Sequence, residues 1–90
     1  MTKLTEAEAR ARLAQLPGWE LIGDEIVKQY VWPGFSQALA FANRVAALAE
    51  QADHHPDILI QYDRVTLTLT SHDAQGLTER DVELARRIDA

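Results

Sequence analysis

The sequence predicts an α+β fold: two antiparallel hairpins form a four-stranded sheet, and three helices cover one face, in the order α-β-β-α-β-β-α. Three observations predict it. Two pairs of short, strand-like segments each flank a tight turn, a long amphipathic segment separates the pairs, and capping sequences begin a helix near each end of the chain. At this length we expect residues 1–90 to form a single domain.

A capping sequence begins the first predicted helix at Thr5. The Thr5 hydroxyl can bind the backbone three residues on while Glu8 reaches back, which is the reciprocal capping-box pattern. We expect Leu13 and Leu16 to face the core, and Pro17-Gly18 to end the helix.

The first predicted hairpin joins "WELI" to "EIVKQYVW" through a turn at Gly23-Asp24. Pro33-Gly34 ends the second of these strands. The next helix is predicted from about Ser36 to Ala52, and its wide apolar arc indicates packing on the sheet and on a second flank. It must end before His55, because a residue that precedes proline disfavours helical angles.

The second predicted hairpin joins "DILIQY" to "VTLTLT" through Asp63-Arg64, with one apolar and one threonine face on its second strand. A turn that pairs Tyr62 with Val65 also places His72 opposite His55, at about 5 Å, which is typical of cross-strand neighbours.

The last predicted helix begins at Thr78, and Asp81 is placed to complete a second capping box. Leu77 and Val82 have the spacing of a hydrophobic staple across the start of that helix. Asp81 is therefore first of all a capping carboxylate.

The chain has only three histidines, His54, His55 and His72, and the predicted hairpin brings them together. Three interpretations remain open on the residues alone. They are a solvated loop, a metal site of imidazole and carboxylate ligands, or a set of groups that transfer protons near neutral pH. If the middle helix continues far enough, Glu50 shares a face with His54 and lines the same cavity. The threonine face and Tyr62 are candidates for its walls.

Composition excludes several classes of function. The formal net charge is −5 and the basic residues are scattered, so nucleic-acid binding is disfavoured. The absence of cysteine removes disulfides, cysteine-based zinc sites and thiol nucleophiles. No apolar segment is typical of a signal peptide or a membrane span, so we expect a cytoplasmic protein with no membrane contact.

One set of spaced residues resembles the signature of the pterin-4a-carbinolamine dehydratases: Glu50, His54-His55-Pro56, Tyr62, His72 and Asp81. The segments "LPGW", "DHHP", "LTLTSH" and "GLTERD" are also similar to sequences of that family, and the likeness extends from about Leu4 to the end of the chain.

The resemblance implies a lyase that removes water from 4a-hydroxytetrahydropterin and so supports tetrahydrobiopterin recycling, without a metal or a cofactor. It implies that His54, His55 and His72 are catalytic, with His54 and His72 as acids on the two faces of the pterin. Glu50 beside His54 and Asp81 at the last helix would support them.

The same resemblance implies that His55, Tyr62 and Ser71 bind the small-molecule pterin substrate, and that the chain forms a homodimer or a homotetramer. The alternative is a binding module of the same fold, acting as a dimerisation cofactor or as an assembly chaperone without enzyme activity.

Overall fold

Four antiparallel strands form one sheet in the order β1-β2-β4-β3 in the computed structural model, which describes residues 2–90. The strands are β1 (Glu20–Ile22), β2 (Glu25–Val31), β3 (Asp57–Gln61) and β4 (Arg64–Leu69). The helices are α1 (Glu6–Leu13), α2 (Phe35–Ala52) and α3 (Glu79–Ile88), and a short 3₁₀ helix, η1 (His72–Ala74), lies between β4 and α3. The predicted fold class is confirmed.

The central strand β4 shows how the sheet divides core from surface. Val65, Leu67 and Leu69 are completely buried beneath the helices. Because successive side chains of a strand point to opposite faces, Thr66 and Thr68 lie on the other side. We call that side, which carries both threonines, the open face of the sheet.

Two helices close the core over the buried face. Helix α2 buries Ala38, Phe41, Ala42, Val45 and Ala49, and it contacts α3 along its flank. Both predicted capping boxes are present, at Thr5 with Glu8 and at Thr78 with Asp81. None of the helices within residues 2–90 is both long and apolar enough to cross a membrane.

Helix α1 is shorter than predicted, because it ends at Leu13 rather than at Pro17-Gly18. Hydrogen bonds from the amides of Gln15 and Leu16 to carbonyls three residues earlier tighten the chain directly after it. Leu16 still reaches the core, where it is 4% exposed.

The predicted turn of the second hairpin was wrong by one residue. Gln61 pairs with Arg64, so Tyr62-Asp63 makes the turn and Arg64 belongs to β4. The neighbouring strand fixes this register, because Val31 pairs with Arg64. In the continued register His55 lies opposite Thr70 rather than opposite His72.

The carboxylate of Asp89, just after α3, holds the end of that helix to the sheet. It accepts hydrogen bonds from Trp19 Nε1 (2.8 Å), Lys28 Nζ (3.0 Å) and Tyr30 Oη (2.5 Å). Partial burial opposes ionisation of Asp89, but the three hydrogen bonds outweigh it and hold the pKa of the carboxyl below its usual range. Burial and the bond to Asp89 raise the pKa of Tyr30 well above its ordinary value.

We predict that Asp89→Ala lowers the free energy of unfolding by about 1–3 kcal/mol, because it removes the shared acceptor of these three donors. A carboxyl with a depressed pKa stabilises the fold above its unfolded pKa of about 3.9, and this stabilisation is lost as the pH falls through the folded pKa. We therefore measure urea unfolding at neutral pH and at pH below 4. The difference in free energy of unfolding between the variant and the wild type should be smaller in acid. Asp24→Ala, which removes only an exposed ion pair with Lys3, is the control. An Asp89→Ala protein as stable as this control at neutral pH would contradict the prediction.

Candidate active site

The three histidines line one cavity at the end of the sheet where α2 gives way to β3 and β4 gives way to η1. The cavity has a volume of about 260 Å³, and its wall consists of Asp53, His54, His55, Thr70, His72 and Asp73. The predicted meeting of the imidazoles is thus present, although they reach the cavity from loops and not through cross-strand pairing.

The end of α2 directs the two adjacent histidines. Asp53 takes the left-handed conformation, with φ of 49°, and stops the helix there. His54 and His55 then follow in a non-helical segment, and their side chains take different partners.

His54 is held by the fully buried carboxylate of Asp81. The distance from His54 Nε2 to Asp81 Oδ1 is 2.5 Å, and His54 itself is only 9% exposed. The other oxygen, Asp81 Oδ2, accepts from the Ser71 hydroxyl at 2.8 Å and from the Thr78 backbone N–H at 2.9 Å. One side chain therefore caps α3 and orients an imidazole, and all its donors are internal.

Glu50 contacts His55, not His54 as predicted. The distance from His55 Nε2 to Glu50 Oε2 is 2.5 Å, and both side chains are more than half exposed. The prediction was wrong because the left-handed residue Asp53 takes His54 off the helical face of Glu50. Since solvent screens this exposed pair, it orients His55 more than it stabilises the fold.

His72, like His55, is exposed, and its loop is tied down on both sides. Ser71 and Gly76 exchange backbone hydrogen bonds that close the loop at its base. Arg80 of α3 binds both oxygens of Asp73, at 2.7 and 2.8 Å. That hydrogen bonding holds the pKa of the Asp73 carboxyl below its usual range.

Two of the predicted substrate-binding residues do not line the cavity. Tyr62 is 71% exposed in the turn at the far end of β3, a strand of five residues that spans about 17 Å. Ser71 is 1% exposed, and its hydroxyl is committed to Asp81 and Thr78. In this chain Ser71 supports the Asp81 carboxylate, and Tyr62 lies too far from the imidazoles to share a ligand with them.

Sequence reasoning named the threonine face, which includes Thr70, as a candidate for the wall, but it missed Asp53 and Asp73 there and Arg80 as the side chain that holds Asp73. One signal was available for Asp53. The helix had to end before Pro56, and aspartate is among the few residues that accept the left-handed conformation. No local pattern identifies the contact between Arg80 and Asp73, because it depends on how η1 meets α3.

The arrangement suits proton transfer. An ionised carboxylate only accepts hydrogen bonds, so neutral His54 carries its proton on Nε2 and leaves Nδ1 as the basic nitrogen. Within residues 2–90, no three His, Asp or Glu side chains are grouped so that they could hold a metal ion. Fold and site together define an α+β protein with a histidine-lined acid–base cavity.

Comparison with known proteins identifies the family. The sequence profile described as Pterin 4 alpha carbinolamine dehydratase matches residues 2–90, and the chain belongs to that family. A protein of Thermomicrobium roseum, provisionally named a pterin-4-alpha-carbinolamine dehydratase, is 53% identical over 98% of this chain and 95% of its own length. A relative from Chloroflexus aurantiacus with the same provisional name is 54% identical over 99% and 96% of the two chains.

Solved structures agree with this assignment. A transcriptional coactivator/pterin dehydratase from Brucella melitensis superposes with a TM-score of 0.93, at 36% identity, over 98% of this chain and 96% of that one. A pterin dehydratase-like protein described as a RuBisCO assembly factor of the alpha-carboxysome superposes with a TM-score of 0.65, at 26% identity, over 79% and 82%. Proteins that share this fold thus carry descriptions of more than one role.

We predict that neutral His54 is the Nε2–H tautomer, because Asp81 accepts its proton. The ¹⁵N chemical shifts of the two ring nitrogens report the tautomer directly when they are measured at a pH high enough for the imidazole to be neutral. His72, which has no side-chain partner in the described part of the chain, should instead give the averaged shifts of mixed tautomers. A His54 spectrum with the proton on Nδ1, or the same averaging as His72, would contradict the assigned contact.

Proposed function

We propose that the chain is a hydro-lyase that converts 4a-hydroxytetrahydropterin to quinonoid dihydropterin and water, and so serves tetrahydropterin recycling. The observation that carries the proposal is the imidazole of His54, which lines the cavity together with His55 and His72 while a buried carboxylate fixes its tautomer and direction. Membership of the dehydratase family supports the choice of substrate.

The reaction explains why imidazoles are needed. The C4a–O bond breaks with its electron pair on oxygen, and hydroxide is a poor leaving group unless an acid protonates it. The proton on the neighbouring ring nitrogen, N5, must also leave as the C4a–N5 double bond forms. One acid and one acceptor therefore balance the reaction, and each positioned proton transfer contributes about 10²–10⁴-fold.

The environments of the histidines support different roles. We assign His54, which Asp81 holds in place, as one acid, and His72 as the acid for the opposite face of the pterin. His72 is exposed, so it can exchange its proton directly with water between turnovers. His55, which Glu50 orients, is the proposed base and ring-binding residue.

A binding module of the same fold is the second candidate, and the RuBisCO assembly factor among the structural relatives is the observation behind it. The buried contact between His54 and Asp81 favours the enzyme. A carboxylate that is fully buried costs several kcal/mol of desolvation before its donors compensate, and a surface used only for docking does not require one.

We predict that His54→Ala and His72→Ala each slow dehydration of the carbinolamine by about 10²–10⁴-fold, because each removes a positioned proton donor. Stopped-flow decay of freshly generated 4a-hydroxytetrahydropterin measures the rate, and circular dichroism checks the fold. Tyr62→Phe, at the far end of β3, is the control and should keep wild-type activity. Full activity in both histidine variants would overturn the assigned roles, whereas a pterin-inactive wild type that binds a macromolecular partner would favour the module.

We also propose that the chain forms a homo-oligomer through the edge strand β3. Among the described residues this strand pairs only with β4, and it exposes Leu59 (53%) on the open face of the sheet. An unpaired apolar edge of this kind is a template for pairing with a second strand, and a second copy presents the same edge.

Leu59→Lys should therefore lower the molar mass of the wild-type assembly in size-exclusion chromatography with light scattering, because a charged edge residue opposes strand pairing. Val31→Lys is the matched control, since Val31 is an exposed aliphatic side chain on the same open face but on β2, which β4 separates from the proposed interface. A monomeric wild type, or an equal effect of both substitutions, would contradict an interface at β3.

A further inference from the structure

A second hollow adjoins the histidine cavity on the far side of His72, and the proposed chemistry does not use it. It measures about 510 Å³, and its wall includes Ile22, Asp24, Glu25 and Gln75 together with Thr70 and His72. We call it the side hollow. Thr70 and His72 also line the histidine cavity, so these two residues form a wall common to both spaces.

The register of the sheet places Glu25 within reach of a ligand in the cavity. Ile22 pairs with Glu25, and the β2–β4 register continues from Ile26 and Leu69 to Glu25 and Thr70. Thr70 lies opposite His55 in the continued β3–β4 register. Glu25 and His55 therefore flank Thr70 on the open face, about 10 Å apart at the usual strand spacing.

The size of the cavity favours an extension. Sites for small molecules usually measure about 300–1,000 Å³, and the histidine cavity of about 260 Å³ falls below that range. The substituent of a pterin is carried on C6, which is bonded to N5, the nitrogen that loses its proton. A substituent at C6 therefore leaves the ring beside the imidazoles, where the common wall with the side hollow begins.

The chemistry of the side hollow favours hydroxyl groups over anions. Glu25 and Asp24 supply carboxylates, and Gln75 supplies an amide oxygen, so the wall is rich in hydrogen-bond acceptors. Lys3 lies 3.8 Å from Asp24 and offsets part of its charge, whereas Glu25 has no ion-pair partner among the residues the structure describes. The Thr70 hydroxyl already donates to the Asp24 carbonyl at 2.8 Å, which holds the β1–β2 turn in place.

We propose that the side hollow binds the C6 substituent of the substrate, and that Glu25 selects a neutral, hydroxylated substituent over an anionic one. This inference rests on the proposed dehydratase function, since it takes the ring in the histidine cavity to be a pterin. Ile22, 55% exposed on the same face, contacts the carbon chain, and Glu25 accepts from its hydroxyls. A phosphate or carboxylate in the same place meets an uncompensated carboxylate and is rejected.

Binding of three stable dihydropterins tests the subsite: one with a methyl group at C6, one with a dihydroxypropyl group, and one with a phosphorylated hydroxyalkyl group. Titration calorimetry should show the dihydroxypropyl ligand binding about tenfold more tightly than the methyl ligand, which is the effect of one additional hydrogen bond. The phosphorylated ligand should bind more weakly than both.

Variants of Glu25 sharpen the test. Glu25→Ala should bring the ratio of the affinities for the dihydroxypropyl and methyl ligands close to one, without changing the affinity for the methyl ligand. Glu25→Gln should keep that ratio and raise the affinity for the phosphorylated ligand. Glu20→Ala is the matched control, because Glu20 lies on the same open face, on β1 opposite Val27 and outside the side hollow.

A ratio that is the same in wild type and Glu25→Ala, or tight binding of the phosphorylated ligand to wild type, would overturn the proposed subsite. Turnover of the 4a-hydroxy substrate with a 6-methyl group is measured on the same preparations. If the wild type turns over the substrate but the ratio of ligand affinities is the same in Glu25→Ala, the result contradicts the subsite alone. The absence of wild-type turnover contradicts the dehydratase function.

Discussion

The buried carboxylate of Asp81 is the interaction on which the rest of the site depends. A charge without solvent is costly unless several donors surround it, and Asp81 receives donors from three parts of the chain. The Thr78 amide belongs to the start of α3, the Ser71 hydroxyl to the segment between β4 and η1, and the His54 ring to the segment after α2. The same contacts that satisfy one carboxylate therefore fix the relative positions of the elements that surround the cavity.

This dependence divides the three imidazoles into two kinds. His54 is almost buried and has one defined partner, so its free nitrogen is presented in a single orientation. His55 and His72 are exposed and lie on segments whose anchors, Glu50 and the Asp73–Arg80 pair, are themselves at the surface. A preorganised proton donor beside groups that exchange freely with water is a suitable arrangement for an acid–base reaction that must reset after every turnover.

Most of the fold was predictable from the sequence because its signals are local. The capping residues Thr5 and Thr78, and the alternation along β4, each act within a few positions of the chain. The turn of the second hairpin was not predictable in the same way. Neither Asp63-Arg64 nor Tyr62-Asp63 has the chemistry of a preferred tight turn, and the pairing of Arg64 with Val31 of β2 decides between them. Tyr62 accepts a φ of 54° as a consequence.

The site was predictable in its composition and not in its contacts. Spacing brought the three histidines and Glu50 to one region, and the family resemblance added Asp81. The partners of His54 and His55 depend on a single left-handed residue at the end of α2. That residue, Asp53, turns His54 toward Asp81 and leaves His55 to contact Glu50. The assignment of Ser71 to the substrate failed for a related reason, since its hydroxyl satisfies a buried charge that the sequence does not reveal.

The central claim is that this cavity, organised by Asp81, catalyses loss of water from a pterin carbinolamine. The most direct measurement is the decay of 4a-hydroxytetrahydropterin in stopped flow at increasing protein concentration. The account predicts a rate that rises in proportion to the protein added. A decay rate equal to that of buffer alone, from a folded preparation, would contradict it.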